Sequence, residues 1–196
     1  MKILVTGSTG FVGKSLVPTL LLAGHKVRCA VRKKQENLAA EQVIIKSLEL
    51  QQDWSEALEG IDVVIHLAAR VHIMKDKSED PLARYCEVNS IATQRLAEQA
   101  AKQGVKRFIF LSSVKVNGEF TLTDLPFTEE NIIEPQDPYG QSKLFAEQHL
   151  QSISQNTNME FVVLRPPLIY GPGVKANFLK MIQLVNKGWP LPFAKV

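Results

Sequence analysis

Only two cysteines, Cys29 and Cys86, occur in 196 residues, with no C-x-x-C pair and no histidine at ligand spacing from either. Their scarcity excludes a disulfide framework and the common zinc sites, and it fits a reducing cytoplasm. Histidine is sparse too. His25, His66, His72 and His149 are scattered, so no metal centre is expected. Nor does charge of one sign accumulate, since 23 Lys and Arg against 20 Asp and Glu leave a net +3. The longest basic run, Arg32-Lys33-Lys34, has the size of a solvated turn, which excludes a nucleic-acid footprint. No apolar run approaches the roughly 18 residues of a membrane span, so no membrane partner is expected. Only Ile3 to Thr6 separate Lys2 from Gly7, too little for a signal peptide. What remains is 45% apolar and 22% charged. That balance suits one good-sized globular domain, or one domain and the start of another.

Short apolar runs alternate with longer amphipathic stretches from the first residue. Ile3–Val5, Val27–Val31, Val43–Ile45, Asp62–Leu67, Phe108–Leu111 and Phe161–Leu164 are expected as strands. Phe11–Ala23 is expected as a helix that Gly24 ends and Pro18 kinks. A long helix is expected from about Pro81 to Gln103, closed by Gly104. Asp137-Pro138 opens another, to about Ser154, because Asp is a good N-cap and proline at the first helical position has its φ already set. Strands apolar on both faces and separated by helices predict a doubly wound α/β domain with a parallel sheet covered on both sides.

Directly after the first strand stands Gly7-Ser8-Thr9-Gly10-Phe11-Val12-Gly13, and then the first helix. Its G-x-x-G-x-x-G spacing differs from the G-x-G-x-x-G fingerprint, but the physics is shared. The first glycine makes the tight turn and the second admits a pyrophosphate. The third lets helix and sheet approach, while the helix N-terminus faces the negative charge. An acidic residue at the end of the second strand would hold the ribose 2′-hydroxyl of NAD, yet Arg32-Lys33 stands there. A cation would accommodate the 2′-phosphate of NADP, or simply end the strand in solvent, so the cofactor is read as NAD or NADP.

Tyr139 and Lys143 lie four residues apart at the start of the Asp137 helix, and so on one face. A phenol with pKa near 10 is only about 0.1% ionised at pH 7. A fixed ammonium, helped by a positive nicotinamide ring, is expected to lower that pKa, so that Tyr139 takes a proton while hydride leaves the neighbouring carbon. Ser112-Ser113 follow the fifth strand, at the carboxyl edge where ligands bind in open α/β sheets.

These segments, with "VTGSTGFVG", "GIDVVIHLAA", "VNSIAT", "FLSSVKVNGE", "PYGQSK" and "LRPPLIYGPG", resemble the extended short-chain dehydrogenases of the NAD-dependent epimerase/dehydratase family, which have a Rossmann fold. Within that family the chain is similar to UDP-glucose 4-epimerases and to UDP-sugar 4-keto reductases of O-antigen synthesis. The resemblance implies Ser113, Tyr139 and Lys143 as the catalytic triad, with Lys143 also on the nicotinamide ribose. It implies a cofactor cradle of Gly7, Gly10, Phe11, Val12 and Gly13, with Arg32 at the adenosine ribose. Leu67, Ala68 and Ala69 would lie along the adenosine side, with Ser47-Leu48 where relatives carry Asp-Leu against adenine. Asn89 would stand on a helix near the active site, and Pro166 beside the nicotinamide. Lys115, Asn177 and Phe178, with Ser113 and Tyr139, would meet the nucleotide sugar. Relatives continue beyond residue 196, so 1–165 is expected to be the dinucleotide-binding domain and 166–196 the beginning of a smaller, truncated substrate-binding region. Relatives also pair the helices Pro81–Gln103 and Asp137–Ser154 across a two-fold axis. A homodimer is therefore implied, with Leu144, His149 and Leu150 contributing.

Departures from the family narrow the reaction. Its 4,6-dehydratases need an Asp-Glu pair to eliminate water, and here Val114-Lys115 stands in that place. Asn117 and Leu168 replace a tyrosine and an asparagine common in epimerases. Epimerisation and 4-keto reduction use the same triad and stay open as alternatives. A different class, NADP-binding sensors of this fold without chemistry, typically lacks the Tyr/Lys pair that this chain keeps.

Overall fold

The computed structural model describes residues 1–48, 52–71, 80–121, 124–129 and 135–189. His72 and the end of the expected substrate region, 190–196, lie outside them. Six strands form one parallel sheet: β1 (Lys2–Thr6), β2 (Lys26–Val31), β3 (Glu41–Ile44), β4 (Val63–His66), β5 (Arg107–Leu111) and β6 (Glu160–Leu164). Their order is β3-β2-β1-β4-β5-β6, the doubly wound Rossmann arrangement. The order reverses beside β1, so the carboxyl ends of β1 and β4 part at a crevice.

Alternation along the strands builds a core on each face. Ile3, Val5, Val27, Cys29, Val31 and Ile65 point to one side and pack with Val17 of α1 (Phe11–Leu22). Leu4, Ala30, Val64, Phe108 and Phe110 point to the other. They meet Leu96, Ala97 and Ala100 of α4 (Ala92–Lys102) and Ala146 and Leu150 of α5 (Pro138–Gln155). The helix α1 continues through Pro18, and Gly24 leaves it at φ +79°. Asp137 caps α5 by accepting from the Gly140 N–H at 2.9 Å, with Pro138 at the first helical position. Asp80 and Pro81 do the same for α3 (Pro81–Cys86).

Two features depart from the expectations, and the connections add others that were not anticipated. The helix expected over Pro81–Gln103 is interrupted. Between α3 and α4 the residues Glu87–Ile91 form a π turn, whose extra residue rotates everything after it relative to α3. No helix joins β2 to β3, because residues 32–40 are bends and turns. A short α2 (Ser55–Leu58) follows the buried Trp54, and α6 (Ala176–Asn186) follows β6. Leu150, expected at a dimer interface, is 1% exposed in the core beneath α5.

Candidate active site

A cleft of about 770 Å³ opens along the carboxyl edge of the sheet. Its floor is the glycine turn. Gly7 has φ +70°, and a Cβ there would stand 2.6 Å from the Ala68 nitrogen. A Cβ on Gly13 would meet the Gly7 carbonyl oxygen at 2.4 Å. Side chains at either position would drive the turn away from β4 or from α1. The Gly10 N–H donates to the Gly7 carbonyl at 2.9 Å, closing the turn. No side chain caps the start of α1 and no acidic residue stands in its first turn, so its N–H groups remain available to an anion. These are the features a dinucleotide's pyrophosphate requires.

Around that floor the cleft gathers Gly7, Gly10, Phe11, Val12 and Gly13 with Arg32, Ser47, Leu48, Leu67, Ala68, Ala69, Ser113, Tyr139 and Pro166. Arg32 is exposed at the end of β2. Other expected site residues are spent elsewhere. The Asn89 side chain is buried on the π turn. It accepts from the Arg70 N–H at 2.7 Å and donates to the Arg70 carbonyl and the Ser142 hydroxyl, each at 3.0 Å. It thereby fixes the backbone at the cleft rim. The Lys115 ammonium lies on Asp137 at 2.5 Å and Glu119 at 3.6 Å. Phe178 stacks on Tyr170 with ring centroids 5.0 Å apart, and neither Asn177 nor Phe178 lines the cleft.

Sequence reasoning missed Arg70. It lines the cleft directly after Ala69, and its guanidinium sits 5.4 Å above the Tyr85 ring, which meets Tyr139 edge-on at 6.1 Å. Its place next to Leu67-Ala68-Ala69 was the available signal.

Tyr139 and Lys143 lie on one face of α5 as expected, and burial dominates the electrostatics of both. Lys143 is 2% exposed. Its ammonium donates to the Leu111 carbonyl at 2.8 Å, 4.4 Å from the Phe110 ring centroid and 5.9 Å from that of Tyr139. Burial pushes its pKa down to about 7, against the opposing pull of Glu147. The Tyr139 phenol is raised instead of lowered, first by burial and then by Asp137 and Tyr85. Burial of Lys143 takes away part of the charge that its four-residue spacing from Tyr139 would otherwise bring to the phenol. Ser113 begins the turn after β5 and accepts from the Lys115 N–H at 3.3 Å, with its side chain at the cleft. Gly140 lets α5 approach it, since a Cβ there would lie 3.0 Å from the Lys115 carbonyl.

Beneath the cleft runs a buried chain of hydrogen bonds. The Ala68 N–H donates to Thr6 Oγ1 at 3.3 Å, and Thr6 Oγ1 lies 2.7 Å from His66 Nδ1. His66 Nε2 lies 3.0 Å from Thr93 Oγ1, which donates to the Asn89 carbonyl at 2.8 Å. Because the Thr93 proton is committed to that carbonyl, Nε2 carries the imidazole proton and Nδ1 accepts from Thr6. Burial, and then Lys143, hold the His66 pKa down at about 3, so the ring is neutral.

Three relatives frame the site. A Vibrio cholerae UDP-glucose 4-epimerase is 48% identical over 199 residues, covering all of this chain and 60% of its own length. A short-chain dehydrogenase/reductase superfamily protein from Agrobacterium tumefaciens, solved with bound NAD, is 36% identical with TM-score 0.73 over 84% of this chain and 48% of its own. A Bacillus cereus UDP-glucuronic acid 4-epimerase, solved with UDP-glucuronic acid and NAD, is 28% identical with TM-score 0.81 over 97% and 65%. This chain thus spans 60% of the length of the Vibrio protein. The match to the NAD dependent epimerase/dehydratase family runs from residue 3 to residue 191, through every segment that builds the cleft, and the chain belongs to that family.

Proposed function

We propose that the protein is an NAD-dependent 4-epimerase of a UDP-linked hexose, or a 4-keto reductase working through the same groups. The observation that carries this reading is the meeting of Ser113 and Tyr139 at one end of the dinucleotide cleft, with Lys143 one turn behind the tyrosine. The glycine turn and the uncapped start of α1 fit the cofactor's pyrophosphate, and Leu67 to Ala69 its adenosine side. NAD in the solved relatives supports NAD over NADP.

The glycine turn and Pro166 would hold the cofactor, whose nicotinamide would supply hydride exchange at the sugar's C4. Tyr139 takes the proton of the C4 hydroxyl and gives it back, and Ser113 hydrogen-bonds the same oxygen. The Lys143 ammonium stabilises the phenolate. Its own low pKa makes that support strongest when a neighbouring anion keeps it charged. Inversion would require the sugar to turn its other face to Tyr139 and Ser113 before the proton is given back.

Relatives named for UDP-glucose and UDP-glucuronic acid support the substrate class. The exposed Leu168, Tyr170, Ile182, Val185 and Trp189 support reading 166–196 as the start of a substrate-binding region that packs against a further part of the protein. The sequence resemblance supports a homodimer, and Ile91 and Phe145 stand exposed on the helical elements that would pair. Two unpaired cysteines and the same resemblance support a cytoplasmic place in O-antigen synthesis.

The test is incubation of the protein with NAD and UDP-glucose, followed by separation of UDP-galactose. Tyr139→Phe should lose turnover by about a hundred- to ten-thousandfold and still bind NAD. Near-normal turnover in that variant would end this mechanism.

A further inference from the structure

The helix α5 buries more than its catalytic pair. Tyr139, Lys143 and Glu147 recur every fourth residue, so one stripe carries a phenol, an ammonium and a carboxylate. Glu147 is 7% exposed, stands one turn past Lys143 along α5, and is not among the residues lining the cleft. Its Oε1 accepts from the Ser112 hydroxyl at 2.5 Å and from Arg165 Nε at 3.1 Å. Its Oε2 takes Arg165 Nη2 at 2.6 Å. Ser112 directly precedes Ser113, and the Ser112 N–H is bonded to the Leu164 carbonyl at 2.7 Å. One carboxylate therefore ties the ends of β5 and β6 to the helix that bears Tyr139 and Lys143.

We infer that Glu147 is a positioning residue for the Tyr139–Lys143 pair, presenting a fixed carboxylate one turn below Lys143 while it ties the Ser112-Ser113 step to the same helix. A carboxylate anchored by a bidentate guanidinium is a fixed negative charge beside a lysine that has left water. The other groups facing the pair contribute differently. His66 from β4 is neutral, Tyr85 from α3 touches Tyr139, and Asp137 at the start of α5 is spent on Lys115. Arg165, directly after β6, offsets part of the Glu147 charge through their ion pair at 2.6 Å. The inference rests on reading Tyr139 and Lys143 as the catalytic pair.

The experiment reads Lys143 directly. Protein labelled with 13C at the lysine ε-carbons is titrated with NAD bound, and the Lys143 resonance is assigned by its loss in Lys143→Met. In Glu147→Gln the Lys143 midpoint should fall by about one pH unit, with Glu147→Asp between that and wild type. The alkaline limb of turnover should move down with it. If Glu147→Gln does not fold, Glu147→Gln with Arg165→Met removes the buried pair together, which protein interiors tolerate, and should move the midpoint the same way by less. A midpoint that superimposes on wild type in the folded variant overturns the inference, even if turnover has dropped. Failure of the reading beneath it is separate: Tyr139→Phe would then retain turnover while the Lys143 midpoint still reported on Glu147.

Discussion

Replacing Gly13 with alanine adds one methyl group where the turn and the first helix touch. That Cβ would lie 2.4 Å from the Gly7 oxygen and 2.6 and 2.7 Å from the Ser8 Cα and carbonyl carbon. Ordinary contact begins at 3.4 Å, and every atom it meets is backbone, so no side chain can swing aside. The start of α1 must back away by about an ångström, at an overpacking cost of about 1–3 kcal/mol. The same retreat lengthens the hydrogen bonds that the helix start offers a pyrophosphate. Charge-assisted bonds are worth about 1.5–3 kcal/mol each, and losing one lowers NAD affinity by about ten- to a hundredfold. Gly24→Ala is the matched control. Nothing lies within 4 Å of a Cβ there, and only its φ of +79° resists. It should cost about 1–2 kcal/mol of stability and leave NAD affinity unchanged. Calorimetric titration with NAD and urea unfolding of both variants give the two readouts. If Gly13→Ala binds NAD as tightly as Gly24→Ala does, the contact between turn and helix does not shape the cofactor site.

The exposed Arg32 at the cleft tests cofactor choice: NADH should bind at least as tightly as NADPH, and a tenfold or greater preference for NADPH by titration would show that Arg32 grips a 2′-phosphate. His66 has its pKa lowered from 6.5 to about 3, so the unfolded chain takes up its proton first as the pH falls. The stability held above pH 6.5 should drain away between there and about 3, at up to about 1.4 kcal/mol per pH unit. His66→Gln should flatten that slope in pH-dependent melts, and an unchanged slope would remove the imidazole as its source. The helical surface bearing Ile91 and Phe145 should hold a dimer at micromolar concentration, and sedimentation as a monomer would count against it.

Much of the cleft was legible because its residues obey local rules. A parallel strand buried on both faces reads as an unbroken apolar run, and β1 and β5 extend those runs by a residue or two. Three glycines at a strand–helix junction and an Asp-Pro helix start are backbone requirements, so they show in a single sequence. What stayed hidden depends on through-space neighbours. The π turn at Glu87–Ile91 has ordinary helix composition, and its one extra residue leaves the periodicity of eleven later residues intact. The carboxylate of Glu147 looks like a surface charge until β5 and β6 bring Ser112 and Arg165 to it. The pKa shifts of Tyr139 and Lys143 likewise follow from how deeply the sheet and helices bury them, which four-residue spacing does not reveal.

The hydrogen-bond chain under the cleft also bears on how this sequence can diverge. Thr6, His66 and Thr93 each give and receive one proton in a fixed direction, from the Ala68 N–H at one end to the Asn89 carbonyl at the other. Changing one of them strands a buried hydroxyl or ring nitrogen on its neighbour, at about 1–3 kcal/mol. Replacing all three by apolar residues of similar shape removes every side-chain partner at once and leaves only the two backbone ends, the Ala68 N–H and the Asn89 carbonyl, to be satisfied otherwise. The route from one arrangement to the other therefore passes through intermediates less stable than either end. Distant members should carry the three positions as a set, and double-mutant cycles among them should depart from additivity by about 0.5–3 kcal/mol.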